Sequence, residues 1–123
     1  MSKPLALLYY SNLLPGSQLG ARLQDLGYRV QSISAPSQLP GACNTGMPLV
    51  VIAELEPLAE ASAAIAELRG DPATQHIPVL GFARVHDAAL QAQARTAGVT
   101  LLAADAGIAE QLPQLLERIL QVE

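Results

Sequence analysis

Tryptophan is missing from this sequence, and phenylalanine and cysteine each occur once. A lone cysteine, Cys43, excludes an internal disulfide and a cysteine-based metal cluster. It has no nearby cation or second cysteine in the sequence to lower its pKa, so it reads as a loop thiol rather than a redox sensor. With one Phe and three Tyr, the aromatic rings needed to sandwich a flavin are scarce. Charge is sparse too, at 15% of residues, with a net charge of −4. The basic residues Lys3, Arg22, Arg29, Arg69, Arg84, Arg95 and Arg118 form no run, which argues against nucleic acid as a partner. No stretch approaches the roughly 20 apolar residues that span a bilayer. The opening MSKPLALLYYSN lacks the small-residue cleavage site of a signal peptide. The expectation is a cytoplasmic protein with neither a membrane nor a nucleic-acid partner.

Half of the 123 residues are apolar, enough for one closed core, and residues 1–123 read as a single domain standing alone. Pro4 to Tyr10 is a near-continuous apolar run, the mark of a strand covered on both faces. Leu19, Leu23 and Leu26 share a helical face that Gly27 closes, and Tyr28 to Ile33 alternates like a strand nearer an edge. Three prolines and two glycines in APSQLPGACNTGMP allow only a short or irregular helix. Leu49 to Ala53 (LVVIA) is a third strand. Leu58 to Arg69 is a helix with Leu58, Ala61, Ile65 and Leu68 on one face and Gly70 beyond its end. Ile77 to Phe82 and Val99 to Leu102 complete the strands. Asp87 to Ala97 and Ile108 to Gln121 complete the helices. This alternation specifies a parallel sheet with helices on both faces and right-handed crossovers.

Three stretches carry a resemblance: Leu68 to Val79 (LRGDPATQHIPV), Leu23 to Val30 (LQDLGYRV) and Ala97-Gly98-Val99. In this order and spacing the chain resembles, over almost its whole length, the CheY-like receiver domain of bacterial response regulators. The resemblance implies a flavodoxin-like (βα)5 fold, a three-layer doubly wound sheet of five parallel strands in the order 2-1-3-4-5. It also implies a site at the carboxyl ends of the strands. There an acidic pair holds Mg²⁺, an aspartate accepts a phosphoryl group, and a hydroxyl and a lysine hold the phosphate.

By that resemblance the acidic pair falls on Tyr10 and Ser11, and the phospho-acceptor on Ala53. The hydroxyl position is Ala83, the lysine position Asp105, and the aromatic switch position Leu102. Every chemical position is replaced, and Asp105 reverses the sign of the lysine's charge. A one-residue slip making Glu54 the acceptor would turn the strand's apolar set over. Pro57 and the gapless spacing to Ala83 and Asp105 oppose it, so Glu54 and Glu56 read as solvated loop residues at the pocket mouth. The expectation is a degenerate pseudo-receiver that is no enzyme, has no cofactor and binds no metal. Losing the acidic cluster should leave one state stable without Mg²⁺. High Ala, Leu, Gly and Pro are consistent with a GC-rich bacterial gene.

Other constellations are weaker. His76 and His86 lack a third metal ligand. Leu13, Leu14 and Pro15 interrupt the backbone N–H groups that a phosphate loop after the first strand would need. Ser11, His86 and Asp87 match no nucleophile-elbow pattern.

In the last helix Ile108, Leu112, Leu115, Ile119 and Val122 form the stripe that faces the sheet, with Leu116 and Leu120 on its flank. The flank either packs on the first helix or widens a contact surface. With Leu90, Ala94 and Leu102 it makes a candidate interaction face, which the resemblance places where receivers meet partners or dimerise. The expected function is a phosphorylation-independent adaptor in a two-component-like pathway, whose partner is a signalling protein or a second copy of the chain. The alternative is a small-molecule sensor using an apolar pocket among Tyr9, Tyr10, Ala53, Ala83 and Asp105.

Overall fold

The computed structural model describes residues 3–11, 13–84, 87–104 and 106–121. In chain order the elements are β1 (Leu5–Tyr9), α1 (Leu13–Asp25), β2 (Arg29–Ile33), a 3₁₀ turn (Pro36–Gln38) and α2 (Leu39–Gly46). They continue with β3 (Val50–Glu54), α3 (Leu58–Gly70), β4 (Val79–Ala83), α4 (Ala88–Ala97), β5 (Leu101–Ala104) and α5 (Ile108–Gln121). The strands pair in parallel in the order β2-β1-β3-β4-β5. This is the flavodoxin-like (βα)5 architecture.

Each strand alternates its side chains between two cores. Leu7, Tyr9, Val51, Ala53 and Val79 face one, with Leu39 and Cys43 of α2, Ile65 and Leu68 of α3, and Ala94 of α4. Ala6, Leu8, Ile52, Leu80 and Phe82 face the other, with Leu19 and Leu23 of α1 and Ile108, Leu112 and Ile119 of α5. The residues of β1, β3 and β4 are all buried, whereas β2, at the edge, has three exposed residues. Gly27 and Gly98 close α1 and α4 at φ 93° and 104°, a region open to glycine at little steric cost.

Several boundaries shift by one or two residues. The helix α3 takes in Gly70 instead of ending before it, and β3 runs on through Glu54. The strand β5 begins at Leu101, because Thr100 is held just before it. Thr100 N donates to the Val79 carbonyl (2.9 Å), and its Oγ1 accepts from Val79 N (3.0 Å) and from Arg69 Nη2 (3.1 Å). Arg69, at the end of α3, also donates to the carbonyls of Gly98 (2.9 Å), Gln75 (2.8 Å) and Ile77 (2.7 Å). One side chain thereby joins α3 to the segments leading into β4 and β5. The Pro/Gly-rich stretch gives the short irregular helix expected of it, a 3₁₀ turn running into eight residues of α2. Cys43 lies within α2 and is fully buried, which corrects its reading as a loop thiol. Leu39 and Cys43 turn the same face of α2 to the core.

Candidate functional site

The carboxyl ends of β1, β3 and β4 bring Tyr9, Ala53 and Ala83 into one core cluster. Tyr9 pairs directly with Ala53, so the two side chains leave the sheet side by side on the same face. Ala53 ends at its methyl, and the Tyr9 ring leaves the sheet beside it. The phenol is 3% exposed and donates a 2.7 Å hydrogen bond to the carbonyl of Glu56 in the β3–α3 loop. Burial raises the Tyr9 pKa above its ordinary value, the negative charge of Glu54 adds to this, and a hydrogen bond from Ser11 opposes it. On the other side of β3, Ala53 pairs with Gly81. A Cβ at Gly81 would lie 3.1 Å from Val99 and 3.2 Å from Leu55, so the Leu55 side chain lies over β4 at that point.

Glu54 is 1% exposed, which overturns its reading as a solvated loop residue. Strand alternation turns it to the face opposite Ala53, and its Oε1 accepts a 2.8 Å hydrogen bond from Ser11 N. It therefore ties the segment after β1 to the end of β3 from within the fold. Glu56 is exposed. Tyr10 is half-buried, and a side chain at Gly16 would run into its ring, so glycine in α1 lets this tyrosine lie against the helix.

Ser11 is exposed, Ala83 is buried and pairs with Ala104, and Asp105 lies outside the described residues. Ala53 and Ala83 are at most 5% exposed. A groove of about 700 Å³ lies to one side, bounded by Tyr10, Ser11, Ser32, Ser34 and Gln38. Gln38 Oε1 there accepts from the backbone N–H groups of Ser34 and Ala35.

Of the candidate interaction face, Leu90, Ala94 and Leu116 are buried by the chain's own packing, and Leu102 and Leu120 are partly covered. Leu116 and Leu120 join the core of α1 and α5, which answers the question about the flank in favour of packing on α1. Ile108, Leu112, Leu115 and Ile119 form the sheet-facing stripe, while Val122 lies outside the described residues. What α4 and β5 leave open is a small groove between Gln91, Arg95 and Leu102. His76 is exposed, and His86 lies outside the described residues. Among the described residues no three His, Cys, Asp or Glu side chains gather as metal ligands. No helix among them is long and apolar enough to cross a membrane.

No family model matches the chain, and no curated protein matches it. Solved structures do. The receiver domain of the sensor histidine kinase PA1611 from Pseudomonas aeruginosa superposes with a TM-score of 0.87 at 18% identity, covering 98% of this chain and 99% of that one. That receiver was solved with a magnesium ion coordinated in its active-site cleft. The chemotaxis protein CheY4 of Vibrio cholerae gives 0.85 at 16% identity over 96% and 99% of the two chains. A receiver domain of a signal transduction histidine kinase from Syntrophus aciditrophicus gives 0.83 at 18%, over 96% and 90%. The chain has the receiver fold, over the full length of the domain, as its sequence resemblance implied.

Proposed function

We propose that this chain is a phosphorylation-independent receiver-fold module whose work is to bind a protein in a two-component-like signalling pathway. The observation that carries the reading is the Tyr9 ring beside Ala53. In a working receiver that space holds an aspartate and its phosphoryl group. Here an alanine offers no nucleophile, and a ring anchored on the Glu56 carbonyl stands beside it. A two-state receiver needs new phosphate contacts to bias its equilibrium, and Ala83 has no hydroxyl to make one. The module works without catalysis, metal or cofactor, in the cytoplasm, and its surface acts in whatever state the fold holds. The partner is a signalling protein or a second copy of the chain, and the part of the earlier face still open to it is the α4–β5 groove around Gln91, Arg95 and Leu102.

The first test is intact mass after incubation with Mg²⁺ and a small phosphoryl donor, beside a working receiver as control. No adduct is expected, and no Mg²⁺-dependent rise in melting temperature. A base-labile adduct on Glu54 or another carboxylate would overturn the reading. For the interaction itself, a bait carrying Leu102→Glu should lose a partner that the wild-type chain retains.

A second reading, small-molecule sensing, is favoured by one observation. The groove lined by Tyr10, Ser11, Ser32 and Ser34 opens beside the filled site, at strand ends where open parallel sheets bind ligands. A co-purified molecule seen by native mass spectrometry would support it.

A further inference from the structure

The opposite end of the sheet, where the strands begin, holds a second cavity of about 800 Å³. Met47, Leu49 and Leu120 contribute apolar walls, and Arg69, His76 and Thr100 contribute polar groups. Among the described residues, two of the three large apolar side chains that the fold leaves exposed stand on its rim, Met47 at 50% and Leu49 at 45%. An apolar concavity with a few convergent polar groups is the usual form of a small-ligand site.

The guanidinium of Arg69 gives this cavity its chemical character. It is half-buried, and its hydrogen-bond partners are three backbone carbonyls and the Thr100 hydroxyl, all of them neutral. These bonds use four of its five N–H donors. No carboxylate among the described residues meets it. Burial lowers its pKa, so the site holds a partly desolvated positive charge with no anion beside it among the described residues. The one remaining N–H and the Thr100 hydroxyl, which accepts in both of its bonds and keeps its own proton to donate, can hold a carboxylate between them.

We infer that the cavity between Arg69, Met47, Leu49 and Leu120 is a binding site for a small amphipathic carboxylate. Its anionic head lies against Arg69 and Thr100, and its apolar body lies along Met47, Leu49 and Leu120. This inference concerns the end of the sheet away from Ala53 and does not depend on the interaction reading above.

Sodium octanoate is the probe, with octanamide as the uncharged counterpart, in a titration of ¹⁵N-labelled full-length chain followed by NMR. Saturable shifts are expected at Met47, Leu49, Thr100 and Leu120, with a Kd below ~1 mM, and octanamide should bind at least ~10-fold more weakly. Arg69 joins α3 to the segments leading into β4 and β5, so Arg69→Ala removes a structural link and is not used as the test. Leu49→Glu, at an exposed position, keeps the fold and should weaken octanoate at least ~10-fold by adding a like charge at the rim. Equal binding of octanamide would reduce the cavity to an unselective apolar patch and overturn the inference. So would the absence of saturation, shifts centred elsewhere, or unaltered affinity in Leu49→Glu.

Discussion

The hydroxyl of Tyr9 donates a 2.7 Å hydrogen bond to the carbonyl of Glu56, 47 residues further along the chain. It links the end of β1 to the β3–α3 loop. Because the donor is a buried phenol with its pKa raised by burial and by Glu54, the link is sensitive to alkali.

A tyrosine whose folded pKa is raised contributes stability that is complete below its ordinary value of 10.0 and is lost as pH climbs through the folded value. Tyr28, raised by burial alone, acts in the same window. Urea unfolding between pH 7 and pH 11 should therefore show stability falling at the alkaline end. Tyr9→Phe should cost about 1 kcal/mol at pH 7 and flatten the fall without abolishing it. Identical alkaline slopes in the two proteins would remove Tyr9 from the transition.

Restoring the acceptor alone should fail. Ala53→Asp places a carboxylate at a position 1% exposed, beside the Tyr9 ring. It should destabilise the chain by ~3 kcal/mol at pH 7, less at pH 4, where the carboxyl is mostly protonated. No phosphoryl adduct should appear by intact mass. Efficient phosphorylation of this variant would mean that Tyr9 leaves the site readily.

Cys43 is fully buried, and burial pushes its thiol up to about 11 against the opposing influence of Arg69. At pH 7.5 a thiol-specific reagent should modify it only as fast as the chain opens, and fully in denaturant. Rapid modification of the native protein would show that α2 detaches from the core without global unfolding.

Ser62 in α3 is 7% exposed, and its hydroxyl has no hydrogen-bond partner among the described residues. Ser62→Ala removes that unmet polar group and raises helix propensity, so it should stabilise by about 1 kcal/mol in urea melts. A loss of stability instead would reveal a partner for the hydroxyl, such as a bound water.

The element order could be read from the sequence because strand runs and helical faces differ in period, and because glycines mark the ends of α1 and α4. The bounds of α5 came out as expected, since its apolar stripe is long and regular. The start of β5 did not, because an apolar Val99 looks like strand whether or not its backbone is paired. The part Thr100 plays there depends on Arg69, 31 residues away. Glu54 was misjudged for a related reason. A carboxylate beside a loop reads as solvated unless its acceptor role is visible, and its donor is the backbone of Ser11, 43 residues earlier. That Ala53 and Ala83 carry no reactive group could be read from their residue types. The Tyr9 hydrogen bond could not, since its acceptor is a backbone carbonyl 47 residues away.

Leu55 lies over Gly81 on one side of Ala53, and Tyr9 lies beside it on the other. A larger side chain introduced at position 53 therefore meets packed neighbours on both flanks, so more than one of them has to move to admit it.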